Sequence, residues 1–257
     1  MYLSSTTTTN LNTNLTSTSN PKMTTPLTLH TYFRSSCSAR LRIALNLKSL
    51  PYESIPINLL KDEQHSTPNT TLNPSASVPT LIHHHDNQNQ PSFKTPTIVP
   101  QSLAALEYLE EVYPEAHPLL PPLTCPETRA TVRTLANIIA CDVQPVTNLR
   151  ILKRVAPLGM DRTTWSKELV EEGFRAYEEI AAKSAGVYSV GDRITLADVC
   201  LLPAVWGAER VGVEMGEFPT IERVRGNLER VEEVRRAHWR CQGDTPGEFR
   251  VGFEVEV

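Results

Sequence analysis

The 257-residue sequence contains no apolar run approaching the roughly 20 residues needed to cross a bilayer, so no membrane partner is expected. It has no basic excess either. The 25 Lys and Arg stand against 29 Asp and Glu for a formal charge of −4, which gives no reason to expect nucleic-acid binding. Cysteine is scarce, and its five positions (37, 125, 141, 200 and 241) form an odd, widely spaced set. That spacing indicates neither a disulfide framework nor a zinc site, and a reducing, cytoplasmic compartment fits best. Residues 1–25 lack arginine and are mostly Ser, Thr and Asn. Such a segment cannot bury enough apolar surface to offset its ordering entropy, so it is expected to be a disordered tail. It has neither the apolar core of a signal peptide nor the arginines of a mitochondrial presequence.

What remains is long enough for one large domain or two small ones. Residues 27–33 read as a strand, 36–47 as an amphipathic helix and 52–57 as a second strand. The polar stretch 61–72 reads as a loop or short irregular helix. A third strand starts at Val78-Pro79-Thr80-Leu81-Ile82, a short partner covers 97–99, and 101–112 is helical. The pattern is βαβ followed by ββα, a compact α/β unit over residues 26–113. Residues 114–126 form a proline-rich linker carrying Pro114, Pro118, Pro121, Pro122 and Pro126. Residues 127–257 then show no convincing strand. Apolar residues from Val132 to Leu152 recur at steps of three and four, with a kink expected at Pro145. Further helices are expected near 165–180 and over 195–211, 219–228 and 231–239.

The turn at Arg34-Ser35-Ser36-Cys37-Ser38 carries the chemistry. Hydroxyls, a thiol and unpaired backbone N–H groups converge there on the positive end of a helix, a place that stabilises an anion. Ser35 suits a helix N-cap as well as a donor to such an anion. Cys37 sits where a thiol is activated, but it has no partner cysteine within three residues, which argues against dithiol chemistry. Thr195-Leu196-Ala197-Asp198 is a capping box and reads as a folding signal. His83-His84-His85 alternate faces on a strand and are accompanied by no cysteine or acidic cluster at ligand spacing, so they read as part of a solvated loop and no metal is expected. The polar excursion 83–96 is long for a hairpin connection.

Four features in one order carry a family resemblance. They are Ser35-Ser36-Cys37-Ser38-Ala39-Arg40-Leu41-Arg42-Ile43-Ala44-Leu45, Leu72-Asn73-Pro74 with Val78-Pro79-Thr80-Leu81, Gln101-Ser102-Leu103-Ala104, and Gly191-Asp192-Arg193-Ile194-Thr195-Leu196-Ala197-Asp198. Over residues 27–250 the chain resembles the zeta class of cytosolic glutathione transferases, the group containing maleylacetoacetate isomerase. The Ser-Ser-Cys element points to that class, and the other three are shared more widely among glutathione transferases.

The resemblance implies a thioredoxin-like N-terminal domain followed by an all-α C-terminal domain, assembled as a homodimer, with glutathione as cofactor. It implies catalytic roles for Ser35, Ser36 and Cys37, the Ser35 hydroxyl donating to the glutathione sulfur. A cis bond before Pro79 would let Val78 pair with glutathione, and Gln101 and Ser102 would meet its γ-glutamyl carboxylate. Gln64, Gln144 and Asn148 complete the implied binding set. Arg34 and Arg210 are candidates for the carboxylates of a small substrate, with a surface ion pair to Glu209 or Glu214 as the alternative for Arg210. The implied activity is glutathione-dependent cis–trans isomerisation of maleylacetoacetate to fumarylacetoacetate by reversible thiolate addition. A transferase or dehalogenase acting on α-halo acids and a non-catalytic binding module are the alternatives. Ala39, Arg150 and the 83–96 excursion depart from the family pattern.

Overall fold

The computed structural model describes residues 26–85 and 95–250. The expected disordered tail, the middle of the 83–96 excursion and residues 251–257 lie outside them. Four strands, β1 (Leu27–Thr31), β2 (Tyr52–Pro56), β3 (Thr80–His83) and β4 (Thr97–Val99), form one sheet in the order β2-β1-β3-β4. β1 and β2 run parallel because helix α1 (Ser36–Leu47) crosses between them, whereas β3 lies antiparallel to β1 and β4. Helix α2 (Thr67–Leu72) follows two short 3₁₀ turns in the polar stretch, and α3 (Ser102–Val112) follows β4.

Every residue of α1 from Ser38 to Leu45 is buried, because the helix is packed between the sheet and the helical half of the chain. Leu41, Ile43 and Leu45 are at most 1 % exposed, which places them at the centre of a core that runs through both halves. Two arginines, Arg40 and Arg42, are buried along with them.

Residues 113–125 carry no helix or strand and are held by Lys48. Its ammonium group, inaccessible to solvent, meets Glu110 Oε1 at 2.7 Å and donates to the carbonyls of Tyr113 and Ala116 at 3.2 and 2.8 Å. Glu110 Oε2 in turn accepts from the backbone N–H groups of Leu119 and Leu120.

Beyond the connection the described residues form no strand, and their α- and π-helical elements follow in order. They are α4 (Pro126–Asn137), a π-helical segment Ile138–Val143, α5 (Gln144–Thr147), α6 (Leu149–Val155), α7 (Arg162–Ser184), α8 (Leu196–Glu209), α9 (Pro219–Leu228) and α10 (Glu232–Arg235). The kink expected at Pro145 is a different distortion. Pro145 lies in the first turn of α5, which continues directly from the π-helical segment, so the widened turn before it accommodates the missing N–H. The actual break is at Asn148, extended at φ −76° and ψ 158°, whose side chain caps α6 by accepting from Ile151 N. Gly173 of α7 faces the π-helical segment so closely that a Cβ there would lie 2.1 Å from Val143 Cγ2. At the start of α8, Asp198 accepts from Thr195 N at 2.8 Å and from Ser189 N at 2.9 Å, the reciprocal half of the expected capping box. The helix expected over 231–239 is shorter, ending at Arg235, because the chain then turns back toward the β1–α1 connection. Among the described residues no helix is long and apolar enough to cross a membrane.

Candidate active site

The β1–α1 turn is fixed from beneath and from the side. The Arg42 guanidinium, fully buried, donates to Thr31 Oγ1 (2.9 Å), Phe33 O (3.1 Å), Ala237 O (3.2 Å) and Tyr32 O (3.4 Å). Burial pushes its pKa down to about 10, so it stays charged at neutral pH. The N–H of Phe33 donates to Asp244 Oδ2 at 2.9 Å. Ser35 then caps α1, its Oγ accepting from Ser38 N at 3.1 Å. The N-cap role and the donor role are compatible, because capping occupies an acceptor lone pair and leaves the hydroxyl proton to donate elsewhere. The N–H groups of Ser36 and Cys37 have no carbonyl partner within the helix.

Arg34, Ser35 and Ser36 line a small pocket open to solvent, with Trp206, Arg210 and Trp239 on its other side. Arg210 follows the last turn of α8, donates to Trp206 O at 3.0 Å and stands 5.7 Å from the centre of the Trp239 ring. Burial, and next the nearby Arg34 charge, push its pKa down to about 10, which still leaves it cationic at neutral pH. The ion-pair alternative for Arg210 is not what the structure holds: Glu209 pairs with Arg225 at 2.7 Å. Neither Arg34 nor Arg210 has a carboxylate within 4.0 Å among the described residues.

Arg34, Ser35, Ser36 and Arg210 are thus brought together, while the other expected site residues do not line this pocket. Cys37 is partly exposed in the first turn of α1. Gln64 is 8 % exposed in a 3₁₀ turn; its Nε2 donates to Asp62 Oδ1 at 3.2 Å and its Oε1 has no protein partner. The Val78–Pro79 bond is cis, as its spacing after Asn73 implies, and Asn73 braces the approach by donating to Ser77 O at 2.9 Å and Thr80 Oγ1 at 3.2 Å. Gln101 makes no side-chain cap at the start of α3, and Ser102 Oγ accepts from the buried Arg40 at 3.1 Å. Gln144 opens α5, and the Asn148 carbonyl oxygen is occupied in capping α6.

These features suit glutathione. The turn offers a free hydroxyl proton and two N–H groups to a thiolate, and the buried Gln64 Oε1 lacks the donor that a peptide amide supplies.

The histidine triplet differs from a solvated loop. His83 ends β3 and bonds the Tyr108 hydroxyl at 2.7 Å, His84 bonds Thr28 Oγ1 and His85 bonds Thr97 Oγ1. Among the described residues no group of three or more His, Cys, Asp or Glu side chains is placed to hold a metal ion.

The sequence reading missed Arg42, Trp206, Trp239 and Asp244. Arg42 left a signal, since a charge in the middle of a helix with Leu41, Ile43 and Leu45 must find buried partners. The two tryptophans and Asp244 left none, because they reach the turn from far along the chain.

Two family descriptions match the sequence: the glutathione S-transferase N-terminal domain over residues 34–112 and the glutathione S-transferase C-terminal domain over residues 159–243. The chain is 68% identical over 88% of its length to the maleylacetoacetate isomerase of Aspergillus fumigatus, of which 95% is covered. It is 43% identical to the maleylacetoacetate isomerase of Mus musculus, over 86% of this chain and 96% of that one. Among solved structures, a bacterial maleyl pyruvate isomerase, a zeta-class glutathione transferase, superposes with a TM-score of 0.75 at 36% identity, covering 85% of this chain and 100% of the other. The maleylacetoacetate isomerase of Anaeromyxobacter dehalogenans, with dicarboxyethyl glutathione and citrate in its active site, superposes with a TM-score of 0.75 at 33% identity, covering 87% and 96%.

Proposed function

The chain belongs to the glutathione S-transferase family, alongside its zeta-class members, and from that membership we propose that it is a glutathione-dependent isomerase converting maleylacetoacetate to fumarylacetoacetate. The observation that carries this reading is the pair of carboxylate-free arginines, Arg34 and Arg210, flanking Ser35 and Ser36 in one pocket. Such a pocket suits a small dianion beside a stabilised thiolate.

Bound glutathione supplies the thiolate whose reversible addition to the activated cis double bond permits rotation to the trans isomer. Ser35 donates its hydroxyl proton toward the sulfur position, and the N–H groups of Ser36 and Cys37 add the positive end of α1, so that the ionised sulfur is favoured. Arg34 and Arg210 hold substrate carboxylates and keep the reacting carbons over the turn. Val78 and Pro79 meet the peptide backbone of the cofactor, Gln101 and Ser102 its γ-glutamyl end, and Gln64, Gln144 and Asn148 complete the binding set. Cys37 supports the thiolate site without forming a bond to substrate. No histidine base is required, because addition and expulsion occur at one sulfur.

In this reading residues 26–113 carry the glutathione site and residues 127–257 the substrate side, joined through 114–126. The protein is a cytoplasmic homodimer that serves phenylalanine and tyrosine breakdown; light scattering in solution tests the dimer. The decisive assay for the activity is isomerisation of maleylacetone with and without glutathione. Turnover only with glutathione is expected, and absence of turnover in its presence overturns the reading.

A further inference from the structure

Residues 236–250 fold back over the β1–α1 turn, and Asp244 and Phe249 lie past the end of the matched C-terminal domain at residue 243. This strap is anchored on either side of the turn, to Arg42 within α1 and to Phe33 before it. Ala237 O accepts from Arg42 at 3.2 Å, and Asp244 accepts from Phe33 N at 2.9 Å. Arg250 ties the strap to itself by donating to the carbonyls of Thr245, Gln242 and Gly243.

Three rings form a continuous strip beneath the pocket. Phe249 stacks on Phe33 with centroids 6.3 Å apart and meets Trp239 at 5.9 Å, and Phe33 and Trp239 are 6.4 Å apart. Each pocket arginine rests on one ring of the strap: Arg34 stands 5.9 Å from the Phe249 centre and Arg210 stands 5.7 Å from the Trp239 centre. The choice of partner matters. A carboxylate would hold a guanidinium as firmly but would cancel its charge, whereas an aromatic face orients the cation and leaves its charge facing the pocket. Asp244, which accepts from Phe33 N, forms no ion pair with Arg34. Two like charges held side by side repel, and a ligand with two anionic groups relieves that repulsion more than a ligand with one.

We propose that Phe249, held in place by Asp244, is a positioning residue that sets Arg34 opposite Arg210, and that the two arginines together select dicarboxylate over monocarboxylate substrates. The inference rests on the isomerase reading and adds to it the residues that set the substrate class.

Steady-state kinetics at saturating glutathione test it, comparing maleylacetoacetate, with two carboxylates, and maleylacetone, with one. Phe249→Ala and Phe249→Leu are expected to raise KM for the diacid about tenfold while moving KM for the monoacid less than about twofold, with kcat nearly constant on both. Leu keeps the apolar packing and loses the ring, so a purely structural role predicts that Phe249→Leu behaves as wild type. Phe249→Tyr restores the diacid KM. Equal loss on both substrates, or no loss on either, overturns the inference. An inactive wild-type protein instead sinks the isomerase reading. In that event calorimetry on the glutathione-loaded protein still decides the inference, with succinate and butyrate as inert probes. Succinate affinity falling about tenfold in Phe249→Leu while butyrate affinity holds supports it, and parallel changes refute it.

Discussion

Glu209 adjoins Arg210 in the chain but turns away from it to pair with Arg225 of α9 at 2.7 Å. Arg225 also gathers Glu222 at 3.1 Å and Glu229 at 3.3 Å, so three carboxylates share one guanidinium. Among the described residues no carboxylate forms an ion pair with Arg210, which is left facing the pocket.

Removing Arg210 as Arg210→Met is therefore expected to raise substrate KM roughly 10- to 100-fold, the worth of a charged hydrogen bond, with glutathione affinity unchanged. Arg225→Met provides a remote version of the same loss. It frees Glu209 to approach Arg210 and should raise KM several-fold, and the double change Arg225→Met with Glu209→Gln should restore it. Kinetics of the single and double variants give the comparison, and an Arg225→Met enzyme with wild-type KM contradicts the account.

Ser35 serves two ends with one side chain, and substitution separates them. Ser35→Ala loses the helix cap, about 1 kcal/mol of stability, and the hydroxyl donor, on the order of 10²-fold in turnover. Ser35→Gly keeps most of the cap and should lose as much turnover. Ultraviolet thiolate absorbance of bound glutathione is expected to titrate at higher pH in both variants. Near wild-type turnover in Ser35→Gly would remove Ser35 from the mechanism. Cys37→Ala, in contrast, should retain substantial activity, and complete loss would favour a covalent role.

His238 packs between Trp206 and Trp239, with ring centroids at 4.6 and 5.4 Å, and its Nδ1 accepts from Arg240 N. Burial, then the charges of Arg240, Arg210 and Arg42, push its pKa down to about 3. The unfolded chain takes up this proton near pH 6.5 and the folded one near 3, so between those values the unfolded state holds more protons. The contribution of His238 is thus complete above about pH 6.5 and declines as pH falls, by up to about 1.4 kcal/mol per pH unit. Denaturant unfolding from pH 7.5 down to about 4.5 should show this slope, flattened in His238→Gln; parallel slopes in the two proteins would rule it out.

Lys48 is fully buried, and it joins α1 to Glu110 of α3 and to the carbonyls of the connection between the two halves. Lys48→Met leaves Glu110 charged and buried without its partner, and is expected to cost about 3–5 kcal/mol, lowering Tm by roughly 10 °C. The double change with Glu110→Gln should recover part of the loss. Calorimetric melting curves test both, and an unshifted Tm in the single variant would show that the pair is not a stabilising tie.

By itself the sequence determined what depends on near neighbours. The Ser35 cap, the Asp198 capping box and the period of α7 are written in residues three or four apart, and local hydrogen bonds realise the caps almost independently of the rest. The order of strands and helices and the family resemblance follow from such signals taken in sequence. Only the tertiary structure decided where the charges point. Arg42 meets Ala237, 195 residues away, Phe33 meets Asp244, 211 residues away, and Glu209 chooses Arg225 over its neighbour Arg210. A buried charge takes whatever partners the packed interior brings within hydrogen-bond reach, and that proximity is set when the sheet and the helices close on one another, not by spacing along the chain.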